Sequence, residues 1–270
     1  MVKLGIQTLL LPGNDLAEKF VNAARFEFDG VEVVVGPSFD LAAHLDDVGA
    51  ASTISGVPVC AICTHPIHDP LVPDPDDRAL RFATLADLLS LADKLKARGV
   101  VSVPVRPPHT FDMVDRDREL FALAATEFSR WTRALPSGAS AIFLEPLNRY
   151  EAYFLNRVGQ AVELAELIAH PRVMALGDLF HMNIEEADLG APLASAAGRL
   201  GHVHIADNNR FEPGTGCLDF HAPFSALKAS GYDGFVSIEC WSPKGPRLSG
   251  EPEDVLPKTV RFLRDSWEAA

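Results

Sequence analysis

Ala139-Ser140-Ala141-Ile142-Phe143-Leu144-Glu145 is a short β-rich run, continuously apolar over four residues, that ends on a carboxylate. Such runs without polar alternation are expected where a sheet is covered on both faces, as in parallel sheets flanked by helices. Working outward in both directions, runs of the same kind recur at Lys3 to Thr8, Gly30 to Val35, Val57 to Cys63, Val100 to Val105, Val173 to Asp178, Gly201 to Ile205 and Phe235 to Glu239. Longer amphipathic stretches lie between them, with helices expected over Asp15 to Phe26, Asp77 to Ala97, Arg118 to Ala134, Arg157 to Ala169 and Pro252 to Trp267. The alternation describes repeated βα units. An open, doubly wound sheet would read similarly, and it is the count of eight strands that points to a closed (β/α)8 barrel.

The length of 270 residues matches one such barrel. No Pro/Gly/Ser linker, charge block or low-complexity tract divides the chain, so residues 1–270 are expected to form a single barrel domain. The longer loops, at 64–76, 106–115, 181–190 and 207–220, all follow strands. They therefore belong to the carboxyl-end face, where barrel enzymes keep their chemistry.

A formal charge of −13, with no local Lys/Arg cluster, argues against a nucleic-acid partner. Met1 leads straight into a strand-like run, so no secretory leader is expected. No apolar stretch is long enough to span a bilayer. Four cysteines are too few for a disulfide scaffold of this size and suit a reduced, cytoplasmic setting.

Four potential metal ligands end four successive expected strands: Glu145, Asp178, His204 and Glu239. They are separated by 33, 26 and 35 residues, each about one βα unit. Barrel strands converge on one axis, so side chains one unit apart at the strand tops can point at a shared ion. Any one of them alone reads as a strand-end polar group. All four in phase, on strands whose burial makes charge costly, read as a cation site. Three carboxylates and one imidazole favour Mn2+, with Mg2+ or Co2+ as alternatives, over the sulfur-rich or three-histidine sites common for zinc.

Around these residues the sequence resembles the ketose 3-epimerase branch (tagatose and psicose epimerases) of the xylose-isomerase-like barrel superfamily. The segments that carry the resemblance are Leu144-Glu145-Pro146-Leu147-Asn148-Arg149-Tyr150-Glu151, the stretch from Gly177-Asp178 through His181 to Glu186, Gly201-His202-Val203-His204 with Asn209-Arg210 and Pro213 to Gly216, and Ser237-Ile238-Glu239. They span the C-terminal half; the N-terminal half agrees in its βα rhythm. The resemblance implies that Glu145, Asp178, His204 and Glu239 ligate the metal. It further implies that Glu151, His181 and Arg210 hold substrate oxygens, and that the protein assembles as a homodimer or homotetramer. Two departures stand out: Asp207 where Glu is usual, and Leu9-Leu10-Leu11 near where aromatic pocket residues occur.

The implied activity is isomerase-class: epimerisation at C3 of a ketose through a cis-enediolate, with Glu145 and Glu239 as the acid/base pair on opposite faces. An aldose–ketose isomerase would use the same site. A non-catalytic sugar-binding barrel and a metal-dependent endonuclease are further alternatives, the last disfavoured by charge.

Of His202 and His204, which share one strand face, the latter lies nearer the carboxyl end and is the one expected at the ion. His181, past the strand end, is read as a loop residue able to swing over a sugar. Arg149 reads as a partner for Glu151, and His65, His68 and Arg106 as candidates to line the distal end of the cavity. Cys60 and Cys63 have redox spacing, but within a strand their thiols are expected on opposite faces. Gly214-Thr215-Gly216 lacks the remainder of a phosphate-binding loop and is read as a pliable loop near the site.

Overall fold

The computed structural model describes all residues from Met1 to Ala270. Eight parallel strands close into a barrel in sequence order, β1 pairing with both β2 and β8. They are β1 Lys3–Gln7, β2 Gly30–Val35, β3 Val59–Thr64, β4 Gly99–Ser102, β5 Ala141–Leu144, β6 Val173–Asp178, β7 Leu200–Ile205 and β8 Phe235–Ile238. The connecting helices are α1 Leu16–Arg25, α2 Leu45–Ser55, α3 Pro75–Leu95, α4 Arg116–Arg133, α5 Val158–Ile168, α6 Leu179–Glu185, α7 Gly190–Ser195 and α8 His221–Ala229, with α9 Pro252–Ala269 closing the chain. A small hairpin, β9 Trp241–Ser242 and β10 Gly245–Pro246, follows β8 at the mouth of the barrel. No helix is long and apolar enough to cross a membrane.

Local chemistry sets where the helices begin. Asp15 caps α1 by accepting from Glu18 N at 2.8 Å. α3 starts at Pro75, two residues before the expected Asp77, because Asp74 accepts from the backbone N–H groups of Asp76 and Asp77, and proline is well placed in a first helical turn. α6 was not expected as a helix: Asp178 ends β6 and caps α6 at once, accepting from Phe180 N at 2.8 Å, so no connecting loop intervenes. The barrel is jacketed by one large apolar layer in which Phe20, Phe128 and Phe224 are fully enclosed. Inside it, Ala61, Cys63, Val101, Ala141, Phe143 and Leu176 form a separate plug beneath the polar residues of the upper rim.

Two register shifts re-aim side chains within that interior. Opposite Val31/Glu32 the pairing skips Cys60, and opposite Ala175/Leu176 it skips Gly201. The first corrects the expectation for the cysteines: Cys60 Sγ lies 3.6 Å from Ser237 Oγ inside the barrel, and Cys63 lines the upper cavity, so both thiols are interior. At the second, only glycine fits, because a Cβ on residue 201 would run into the Phe143 ring.

Candidate metal centre and active site

Glu145 and Glu239 sit one residue past their strands, yet each remains tied to the ladder: Glu145 N donates to Ser102 O and Glu239 N to Ile205 O, both at 3.1 Å. Asp178 and His204 are register partners on β6 and β7 and so stand at the same height. One ligand atom from each of the four lies within 4.8 Å of the others, and all four residues are buried. His204 Nδ1 is 3.1 Å from Glu145 Oε1 and 3.2 Å from Glu239 Oε2.

The charges crowded here perturb one another strongly. Burial, with Glu239 and Glu145 adding repulsion, pushes the Asp178 carboxyl up to about 7. Burial raises Glu145 as well, against the pull of His204. Burial would also raise Glu239, but His204 and Arg210 outweigh it and hold this carboxylate below its ordinary range. Burial disfavours charge on His204, yet Glu32, Glu239 and Glu145 together keep its imidazole protonated well above the usual histidine range. A buried set with this excess of negative charge and convergent oxygens suits a divalent cation, which would satisfy all four groups at once.

The cavity above the cluster has a volume of about 970 Å3, and its lining includes Leu9, Phe39, His65, Arg106, Glu145, Glu151, His181, Arg210, Glu239 and Trp241. His181 differs from its expected place in a loop. It lies in the first turn of α6, 1% exposed, with Nδ1 accepting from Asn148 N at 3.2 Å and facing Asn148 Nδ2 at 2.8 Å. Burial and the nearby Arg210 hold its pKa well below the ordinary value, so the ring is neutral. Its Nε2, 3.4 Å from Asp178 Oδ2, has no hydrogen-bond partner. With Nδ1 accepting, Nε2 carries the proton and is a free donor beside the cluster.

Arg210 lies over the Phe180 ring at 4.3 Å and donates through Nη1 to Glu151 Oε1 at 2.7 Å, which brings two of the expected substrate-side residues together. Arg149 does not pair with Glu151. It forms a two-pronged ion pair with Glu185, Nε to Oε1 at 2.8 Å and Nη2 to Oε2 at 2.9 Å. Arg106 is held by the buried Asp69 through bonds of 2.7 and 3.0 Å. His65 reaches the cavity wall, whereas His68, on the short 310 turn Pro66–His68, does not line it. Asp207 serves the loop beyond β7, accepting from the backbone N–H groups of Asn208, Gly214 and Leu218, while Thr215 bonds to Asn209 and Glu212.

Four participants escaped the sequence reading: Gln7, Glu32, Asp69 and Phe180. Glu32 carried a usable signal, as a lone carboxylate inside Gly30-Val31-Glu32-Val33-Val34-Val35, a run whose burial makes an unpaired charge untenable. It is fully enclosed, and burial would raise its pKa, but His204 and His202 hold it ionised far below the ordinary carboxylate range.

A family model described as "Xylose isomerase-like TIM barrel" matches residues 20–266. The 3-dehydro-D-guloside 4-epimerase of Escherichia coli (strain K12) is 31% identical over 274 residues, spanning 97% of this chain and 99% of that protein. An L-ribulose 3-epimerase from Mesorhizobium japonicum is 32% identical over 183 residues, 68% of this chain and 59% of that protein. Among solved structures, the apo form of a 3-keto-D-glucoside 4-epimerase from E. coli superposes with a TM-score of 0.80 at 29% identity, covering 98% of this chain and 100% of that one.

Proposed function

Because the chain belongs to the xylose isomerase-like TIM barrel family, we propose that it is a divalent-metal-dependent sugar epimerase, acting at C3 of a ketose through a cis-enediolate with Glu145 and Glu239 as its two acid/base groups. The observation that carries this reading is the convergence of Glu145, Asp178, His204 and Glu239 within 4.8 Å at the bottom of a cavity wide enough for a sugar.

In this reading those four residues hold Mn2+ for preference, or Mg2+ or Co2+, since three carboxylates and one imidazole are a mainly oxygen set. A cation held there would supply Lewis-acid chemistry that acidifies the C–H next to the sugar carbonyl. Glu145 and Glu239 enter from β5 and β8, well separated around the ring. One carboxylate removes the proton from one face of the sugar, and the other returns a proton from the opposite face. His181 Nε2–H donates to a substrate oxygen, and Arg210 with Glu151 holds hydroxyls farther from the reacting carbon.

The charge of the cavity favours an unphosphorylated sugar. Arg106 is neutralised by Asp69 and Arg210 is engaged by Glu151, while no lysine lines the wall. A phosphate would meet carboxylates without a free counter-charge.

A second reading places the same chemistry at C4 of a 3-keto glycoside. It is favoured by the near full-length similarity to the E. coli 4-epimerase. An isomerase would return the proton to the neighbouring carbon instead.

The test is a panel of free ketoses, their phosphates and 3-keto glycosides in D2O with Mn2+ added after chelation, read by NMR. One deuterium at C3 of a free ketose, with the C3 epimer as product, is the expected outcome. Deuterium at C4 of a keto glycoside alone would move the activity to the second reading. Turnover of the phosphates alone would contradict the charge argument, and binding without exchange would rule out catalysis.

A further inference from the structure

Beneath the four-residue cluster lies a second polar group that the proposed chemistry does not use. Glu32, 0% exposed, accepts from Gln7 Nε2 at 2.9 Å through Oε1. Its Oε2 is 2.7 Å from His202 Nε2 and 3.1 Å from His204 Nε2. The same Gln7 amide nitrogen lies 2.8 Å from Glu239 Oε1, so its two hydrogens bridge a buried carboxylate to one of the two acid/base groups. His202 is fixed in turn, its ring stacked on Phe143 at 5.4 Å and 6°. Glu32, His202 and His204 could by spacing be taken for another cation site. Glu32, however, already receives three donors, and nothing in that layer opens to the cavity.

We propose that Glu32 is the positioning residue of the active site: it fixes His204 with the proton on Nε2 and the Nδ1 lone pair aimed at the cation, and through Gln7 it holds Glu239 in its working rotamer. The inference rests on the proposed metal-dependent epimerase. An ionised carboxylate can only accept, so the histidine nitrogen facing it must be the protonated one. Nδ1, which faces Glu145 and Glu239, is thereby left to ligate. A carboxylate behind a ligating histidine also raises the basicity of that ligand, and losing such a partner typically weakens metal binding by about 10- to 100-fold. Gln7 makes the arrangement two-branched: Glu32 bonds His204 directly, and through the Gln7 amide it reaches Glu239, which is both a ligand and a proton-transfer group.

The two branches separate experimentally. Mn2+ affinity is measured by the EPR signal of free Mn2+ for the wild type, Glu32→Gln and Gln7→Met, alongside kcat at saturating Mn2+. For Glu32→Gln the dissociation constant should rise about 10- to 100-fold. For Gln7→Met, which leaves the Glu32–His204 bond in place but removes the amide bridge from Glu32 to Glu239, Mn2+ binding should weaken less than in Glu32→Gln while kcat falls. A folded Glu32→Gln variant that binds Mn2+ as tightly as the wild type would overturn the positioning role and leave the epimerase reading standing. A wild type that binds no Mn2+ would overturn both. Should Glu32→Gln fail to fold, 15N-histidine spectra of the wild type loaded with Mg2+ decide: a protonated Nε2 on His204 supports the assignment, and a protonated Nδ1 refutes it.

Discussion

Glu145→Gln and Glu239→Gln should each lower kcat by about 10²- to 10⁴-fold, the usual contribution of one positioned proton-transfer group. The amide keeps the size and shape of the carboxylate but cannot take a proton at neutral pH, so the loss should appear in turnover rather than in folding. The two variants should differ in one informative way. Glu239 is tethered by Gln7 and lies near Arg210, whereas Glu145 is held by the β5 ladder and faces His204. Each variant should therefore still catalyse half of the exchange. With the removing base intact, solvent deuterium enters the starting epimer without inversion, and the two variants act on opposite epimers. Measured by NMR in D2O, wild-type-like turnover in either variant would reject the two-base scheme.

Chelation with EDTA should abolish activity and Mn2+ should restore it, with a stability change whose sign depends on pH. In the ion-free protein the Asp178 carboxyl is pushed up to about 7 by burial and by its acidic neighbours. A carboxyl with a raised folded pKa contributes stability below its unfolded value, near 3.9, and loses it as pH rises through the folded value. The raised pKa of His204 works in the same direction, its contribution being lost as pH climbs past that value. The depressed values of Glu32 and Glu239 act oppositely, but only as pH falls below the ordinary carboxylate range. The lowered pKa values of His181 and His202 act oppositely up to about pH 6.5, so the chelated protein should become less stable from about pH 7 to pH 8.

Mn2+ requires the deprotonated ligands, so its stabilisation should grow over the same interval, with protons released on binding. At a hundredfold excess over the dissociation constant the gain is about 2.7 kcal/mol, or on the order of 5 °C in Tm for a chain of this size. Differential scanning calorimetry with and without Mn2+ at the two pH values checks this. A Tm indifferent to both would contradict the account of the site.

What was legible in the sequence was what repeats. Eight apolar runs announced the barrel because burial on both faces removes the alternation that a one-sided strand would show. Glu145, Asp178, His204 and Glu239 were legible because strand tops are where one βα period separates converging side chains. The parts that stayed hidden follow from geometry the chain does not write out. Glu32 lies mid-strand, and its importance depends on Gln7 from a neighbouring strand and on His202 and His204 from across the barrel. The inward turn of Cys60 comes from a register shift, and the rigidity of His181 from Asp178 ending a strand and starting a helix in one residue. Arg149 lies near Glu151 in sequence, but Glu185 in α6 offers both oxygens to its guanidinium. Sequence proximity misled there because the fold brings the better partner from 36 residues away.

On the proposed function, four strand tops hold one divalent cation. Anomalous diffraction near the manganese edge from crystals grown with Mn2+ tests it most directly. The expected map has a single strong peak per chain, within about 2.0–2.4 Å of carboxylate oxygens of Glu145, Asp178 and Glu239 and of His204 Nδ1. A map with no peak there, or with manganese bound only elsewhere on the surface, would contradict it.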